Sequence, residues 1–262
     1  MNTETQKGPD GKHYPPVTGI DRDEHIGMVR EIFSTITGRY DFLNHLLSLR
    51  RDIAWRRFTI RKMRFFKTFR LLDVATGTAD LAIEAANGHP GIHVIGIDFV
   101  KEMLAVGRQK TAGRGLFDRI HLLQADAMTL PFPDGSFDAT GIAFGIRNIP
   151  DRLRALREMR RVIVPGGQIF VLEMNFPRHR FWQGFFDLYL NRFLPGVARL
   201  FSGNPAAYHY LADSILHFPS PQAFLRLMEE AGFRDVERYP LTFGITSLYV
   251  GSIKALEERP RA

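Results

Sequence analysis

No cysteine occurs in the 262 residues, and no apolar run is long enough to cross a bilayer as a helix. The first absence excludes disulfide frameworks and thiolate metal centres and is compatible with a cytosolic setting. Nothing else in the sequence asks for a metal. The opening stretch, Met1 to Thr18, has glycine and proline but no apolar centre, so it reads as a disordered tail rather than a secretory leader. Acids are in deficit: 28 Asp and Glu stand against 35 Lys and Arg, for a net charge of +7 and a pI near 9.9. A basic balance suits nucleic acid, an anionic membrane surface, or solubility alone. There is no internal repeat and no low-complexity linker. With 45% hydrophobic and 24% charged residues, the chain has the composition of a globular protein that buries a sizeable core.

The stretch from Leu71 to Asp98 organises the rest. A short apolar run, Leu71-Leu72-Asp73-Val74, leads into the turn Ala75 to Asp80, then a helical pattern from Leu81 to Ala86, then a second run, His93 to Ile97, ending on Asp98. Strand, small-residue turn, helix and strand make one βαβ unit. Small residues let the backbone approach a ligand, and the helix offers free N–H groups there. An acid about 20 residues past the turn is placed to accept both hydroxyls of a ribose. A dinucleotide site wants G-x-G-x-x-G, whereas Gly77, Ala79 and Ala82 occupy those positions and the acids Asp73 and Asp80 flank the turn. Acids repel a pyrophosphate but suit an ammonium and a sulfonium, which points to S-adenosylmethionine. The bland alternative is a plain α/β turn with an acid at the end of its strand.

Strands alternate with helices along the remainder. Ile120 to Leu123, Phe137 to Phe144 and Gln168 to Glu173 read as strands, and Arg152 to Val162 as a helix stopped by Pro165-Gly166-Gly167. A helix over Pro221 to Ala231 precedes two runs, Val236 to Phe243 and Ser247 to Ile253, placed to form an antiparallel hairpin. The fold class is α/β, a layered sandwich on a mostly parallel sheet. Ahead of it lie helical patterns over Ile26 to Tyr40 and Tyr40 to Leu49, then the basic piece Arg50 to Arg70 with Trp55, Phe58, Phe65, Phe66 and Phe69 between its charges. That piece reads as a helix with an aromatic face on the sheet and a solvated basic face, or as a contact for anionic lipid headgroups. An insert from Asn175 to Pro219 opens with an aromatic run that includes Trp182 and Phe186. It marks a ligand groove, a membrane contact or a partner, or packs beneath the insert itself.

These residues resemble a known family. The turn Asp73 to Asp80, Asp98, Asp126-Ala127, Leu130 to Pro133 and Phe137-Asp138 resemble class I S-adenosylmethionine-dependent methyltransferases. Arg39-Tyr40-Asp41-Phe42-Leu43-Asn44, Trp55 to Ile60, Phe144-Gly145-Ile146-Arg147-Asn148 and Tyr210 to Ile215 are similar, more narrowly, to the ubiquinone/menaquinone biosynthesis C-methyltransferases. The likeness runs from about Val29 to Lys254. It implies a Rossmann-like class I methyltransferase: a mostly parallel seven-stranded sheet with an antiparallel last strand, N-terminal helices and the aromatic insert. One domain is expected over 26–254, with a helical cap at 26–70, the insert at 175–219, and tails at 1–25 and 255–262.

The resemblance further implies methyl transfer to a ring carbon of a polyprenylated quinol, either demethylmenaquinol or a ubiquinone-pathway benzoquinol. Asp73, Gly77, Thr78, Asp98, Asp126 and Ala127 are the expected cofactor contacts. Ala79 stands where the family usually has a glycine, which is harmless at negative φ and costly otherwise. A quinol carbon becomes nucleophilic when its neighbouring hydroxyl loses a proton, which requires a base or a group that stabilises the phenolate. Arg147, always protonated, is assigned to hold the phenolate or polarise a water, and Asn148 to hydrogen-bond a quinol oxygen; the bland account is a helix-flanking charge and a cap before Pro150. Tyr40 and Asn44, with Trp182 and Phe186, are the expected lid and substrate residues, with a purely structural role for Tyr40 and Asn44 equally open. His209 and His217 could serve as the base, but a lone histidine is more often surface or core, and neither is assigned that role. The expected setting is cytoplasmic, peripheral on the inner face of the membrane, with a homodimer or quinone-synthesis complex as possible assemblies.

Two other functions compete. A nucleic-acid amino-methyltransferase would need an Asn/Asp-Pro-Pro-aromatic clamp after the fourth strand, and Ile142 to Arg147 offers none. A catalytically silent S-adenosylmethionine-binding scaffold is the other, separated from an enzyme by whether cofactor binding is followed by turnover.

Overall fold

Seven strands make one sheet in the order β3-β2-β1-β4-β5-β7-β6. The computed structural model describes residues 21–175 and 205–255. Trp182, Phe186 and the termini lie outside the described residues. Strands β1 (Arg70–Val74), β2 (His93–Asp98), β3 (Ile120–Gln124), β4 (Phe137–Ala143) and β5 (Ile163–Met174) run parallel, while β7 (Thr246–Ser252) is antiparallel to both β5 and β6 (Arg234–Leu241). The chain steps outward from β1 through β2 to β3, then returns to place β4 on the other side of β1. That reversal opens a crevice at the carboxyl ends of the strands, the usual place for a ligand in an open α/β sheet.

Both sheet faces are buried, and alternate residues divide between them. On β1, Leu72 and Val74 join one cluster with Ile97, Ile142, Phe224 and Tyr249. Leu71 faces the other way, with Trp55, Ile60, Val94, Phe170 and Leu248. The first face is covered by α6 (Arg152–Arg161) and α8 (Pro221–Glu230), the second by α3 (Arg51–Lys62) and α4 (Asp80–Gly88), while α5 (Lys101–Gly113) packs against β2 and β3. Asp151 caps α6 by accepting from the Arg154 N–H at 2.9 Å, and Ser220 caps α8, whose first residue is Pro221.

Several expected boundaries move. The N-terminal helix α1 spans Arg22–Ile36, beginning inside the stretch assigned to the tail, and α2 spans Tyr40–Leu47. The basic piece is helical only to Lys62, because Met63 is extended at φ −71° and ψ 141°. Beyond it the chain wraps the buried Asp138 carboxylate, which accepts from the backbone N–H groups of Phe66, Lys67, Thr68 and Phe69. Phe66 and Phe69 consequently point outward, about half exposed. The Pro165-Gly166-Gly167 stretch does not separate helix from strand; β5 runs through it with a register shift. Gly166 sits at φ 82°, and a side chain on Gly167 would meet the Asp138 carbonyl oxygen at 2.5 Å, so these glycines let the strand bulge and continue. Within the insert, Pro205–Leu216 forms a further helix, α7, that sequence periodicity did not announce.

Candidate active site

The turn after β1 is held from below. The buried Asp73 carboxylate accepts from the Thr76 hydroxyl at 2.6 Å and the Ala82 N–H at 3.1 Å. Burial pushes its pKa up to about 7, with the nearby Asp98 adding to the rise against the opposing Thr76 and Ala82 bonds. Ala75, Gly77 and Ala79 adopt left-handed backbone at φ 51°, 57° and 69°, so two of these three positions carry a side chain where glycine is favoured. Ala79, whose φ decides whether its missing glycine matters, is therefore in the costly conformation. Close approach across the crevice is set by Gly145: a Cβ there would lie 2.7 Å from the Ala75 Cβ.

Between this turn and the carboxyl ends of β2, β3 and β4 lies a cavity of about 370 Å³. Its polar wall is made by Arg30, Gly77, Asp98, Gln124, Asp126 and Asn148, and its apolar wall by Ile26, Val29 and Phe33 of α1 with Met103, Phe144 and Ile149. The volume lies in the range of small-molecule sites, and apolar walls with a few convergent polar groups are their usual lining. Asp98 is fixed by the Gly77 and Val100 N–H groups, each at 2.9 Å, and burial raises its pKa to about 6. Its carboxylate has the capacity to accept further O–H donors, as a ribose would need.

Of the expected cofactor contacts, the structure brings Gly77, Asp98, Asp126 and Ala127 together on the cavity wall, while Asp73 and Thr78 are absent from the lining. Asp73 supports the turn from beneath. Thr78 is buried behind it, donating to Asp41 Oδ1 at 2.5 Å and accepting from Lys110 at 3.1 Å. Lys110 also reaches Asp41 and Asp80, at 2.6 and 2.5 Å. Arg56 on α3 joins the same network through Asp52 at 2.5 Å and Asp80 at 3.5 Å. Burial works against the ionised Asp80, but Arg56 and Lys110 hold its pKa below the ordinary value. The cap is thus tied to the cofactor turn through Asp41; Asn44 is half-buried outside the cavity wall, and the Tyr40 side chain lies outside the described structure. The acids of this network alternate with cations in a way their spread along the sequence conceals.

Arg147 and Asn148 separate in role. The guanidinium of Arg147 is buried, donating to Glu173 Oε1 at 2.6 Å and to the Phe144 carbonyl at 2.7 Å. Glu173 is wholly buried at the end of β5. Arg147 does not line the cavity; its neighbour Asn148 does. Arg152 fastens the same turn by donating to the carbonyls of Ile146 and Arg147, at 3.3 and 2.9 Å. Of the candidate bases, His217 is an exposed partner of Asp213 and His209 has no described side chain. The histidine near the cavity is His25, which no local motif marks.

The sequence model of the ubiE/COQ5 methyltransferase family matches residues 20–253. The chain is 46% identical over 224 residues to a ubiquinone/menaquinone biosynthesis C-methyltransferase UbiE of Geobacter sulfurreducens, covering 85% of this chain and 87% of that one. It is 45% identical over 220 residues to a demethylmenaquinone methyltransferase of Thermus thermophilus, covering 84% and 99% of the two chains. Among solved structures, it resembles a SAM-dependent methyltransferase from Aquifex aeolicus (TM-score 0.55, 18% identity, covering 76% and 89%). It resembles the [4+2]-cyclase SpnF to a similar degree (TM-score 0.57, 20% identity, covering 78% and 81%). The fold is therefore that of class I methyltransferases, but fold likeness that extends to a cyclase does not assign the reaction. The sequence relatives do.

Proposed function

Since the chain belongs to the ubiE/COQ5 methyltransferase family, we propose that its cavity takes S-adenosylmethionine at Gly77, Asp98, Asp126 and Ala127 and a polyprenylated quinol at Asn148. The protein is an S-adenosylmethionine-dependent C-methyltransferase of menaquinone/ubiquinone biosynthesis. The observation that carries the site assignment is the presence of Asp98 and Asn148 on one cavity wall, the first a fixed carboxylate and the second a carboxamide.

The bound cofactor supplies an electrophilic methyl group on a sulfonium. The chain aligns the reacting groups. Asp98, pre-set by two backbone N–H groups, accepts ribose hydroxyls without reorganising. Asp98 and Asp126 on the wall, set against Arg30 at its rim, favour a cationic ligand over a pyrophosphate. Asn148 hydrogen-bonds the quinol oxygen as it gains negative charge and activates the adjacent ring carbon. The hydroxyl proton leaves to solvent, the ring carbon takes up the methyl and gives up its own proton, and the oxygen is reprotonated, so each turnover releases one proton overall. Arg147 is a positioning residue in this scheme: its ion pair with Glu173 locks the turn that presents Asn148. The α1 residues Ile26, Val29 and Phe33 give the quinol an apolar wall.

The membrane reading has its own support. Leu49 and Phe243 are 81% and 76% exposed, and Arg50 and Arg51 follow Leu49. Exposed apolar side chains beside cations suit the anionic inner face of a bilayer, where a polyprenylated quinol resides. No described helix is long and apolar enough to cross a membrane, so attachment would be peripheral.

Purified protein, S-adenosylmethionine and short-chain demethyl naphthoquinol or benzoquinol test the assignment. Formation of a ring-methylated quinol with either head group is the expected result. Calorimetric cofactor binding with no methylated product from either would favour the silent scaffold. Cosedimentation with anionic but not neutral liposomes tests the surface, and equal binding to both rejects it.

A further inference from the structure

Asn148 is not alone at the cavity edge. Its Oδ1 accepts from the Tyr210 hydroxyl at 3.1 Å, and the Tyr210 oxygen lies 3.4 Å from His25 Nε2. The three residues come from the turn after β4, from α7 and from α1. Tyr210 and His25 are both buried, at 6% exposure, with rings edge to face at 67°. Among the described residues the Asn148 Nδ2 makes no hydrogen bond, while the residue itself lines the cavity.

Donor counting fixes the polarity of this chain. A phenol has one proton, and Tyr210 gives it to Asn148, so toward His25 its oxygen can only accept. His25 must then carry its proton on Nε2. We infer that Tyr210, backed by His25, is a positioning residue for methyl transfer: it holds the Asn148 carboxamide with Oδ1 turned inward, so that Nδ2 faces the cavity and donates to the quinol oxygen. A carboxamide free to turn would offer its carbonyl half the time, and a carbonyl repels an oxygen that is gaining negative charge. The phenol is the right group for the task. Burial raises its pKa, the cations Arg147 and Arg152 only partly opposing, so it stays protonated and remains a donor. Burial, with Arg152 adding to it, lowers the pKa of His25 and keeps the imidazole neutral.

The inference rests on Asn148 meeting the quinol oxygen, and the variants separate the two statements. Asn148→Ala should lower kcat on a short-chain demethylmenaquinol and leave the calorimetric affinity for S-adenosylhomocysteine unchanged; an unaltered kcat overturns the placement of the quinol at Asn148 and everything built on it. Asn148→Asp, which fills the same space with acceptors only, should lower kcat further than alanine does. Activity equal to or above the wild type would overturn the donor polarity alone. Tyr210→Phe should lower kcat about tenfold with little change in KM, and that loss should shrink to below about twofold in an Asn148→Ala background, since the two act through one hydrogen bond. A tenfold loss that persists without Asn148 would make Tyr210 a general prop and overturn the inference. Should Tyr210→Phe not fold, His25→Ala tests the same chain from its far end, with a several-fold loss that must likewise vanish without Asn148.

Discussion

Replacing Asp98 with alanine removes the carboxylate while leaving the strand that carries it intact. In the free protein that carboxylate accepts from the Gly77 and Val100 N–H groups, each at 2.9 Å, so the substitution both empties the ribose position and releases the turn that frames the cavity. Hydrogen bonds to an ionised acceptor contribute about 1.5–3 kcal/mol each. Two ribose hydroxyls then account for at least about 3 kcal/mol, a loss of affinity of roughly a hundredfold or more. Asp98→Asn keeps one acceptor and should lose roughly tenfold to a hundredfold on the same scale. Isothermal calorimetry with S-adenosylhomocysteine reads both values, with circular dichroism confirming that the variants fold. The wild-type pH dependence gives a second reading of the same group. Burial puts the free Asp98 pKa at about 6, and ribose binding favours the ionised form, so affinity is level above that value and falls as pH drops through it. The fall should approach about tenfold per pH unit, as for any single proton that competes with a ligand. An Asp98→Ala affinity within threefold of the wild type, or a pH dependence of binding that Asp98→Asn leaves unchanged, would refute the ribose assignment.

Four other substitutions, at three positions, follow from the packing. Arg147→Ala leaves the fully buried Glu173 carboxyl without its guanidinium partner, and should cost about 3–5 kcal/mol in urea denaturation; a cost below about 1 kcal/mol would show that the pair does not lock the turn. Arg147→Lys restores charge but not the fork, and should recover much of the stability with cofactor affinity unchanged. Asp138→Ala strands four backbone N–H groups of the 66–69 loop and should cost at least about 3 kcal/mol in urea denaturation; an unchanged denaturation midpoint would contradict it. Ala79→Gly relieves a left-handed alanine, about 1–2 kcal/mol, against the loss of one buried methyl, about 0.8 kcal/mol, so stability should be held or slightly raised. A drop of more than about 1 kcal/mol would mean that the methyl packing dominates.

How much of this was legible in the sequence depended on range. The βαβ unit from Leu71 to Asp98 could be read locally, because alternation, a small-residue turn and a terminal acid are all properties of neighbouring residues. The strands β3 and β4 and the closing hairpin were legible for the same reason. Pro165-Gly166-Gly167 misled: punctuation that normally ends an element here marks a bulge inside β5, because Gly167 must pass close to the Asp138 backbone. The basic piece looked like one helix because its aromatic spacing continues past Lys62; what ends the helix is a carboxylate some 70 residues away, and no window contains it. Local motif reading grouped Arg147 with Asn148, yet Glu173 draws the first inward and leaves the second at the cavity. His25 and Tyr210 stand 185 positions apart and became neighbours only when α1 and α7 packed together.

Methyl transfer with a trideuteromethyl-labelled cofactor and a short-chain demethylmenaquinol, followed by NMR of the product, tests the central claim most directly. The account predicts the labelled methyl on a ring carbon beside a quinol oxygen, formed by the wild type and severely reduced in Asn148→Ala. Label on a quinol oxygen, or no label in the quinol while the cofactor binds normally, would contradict it.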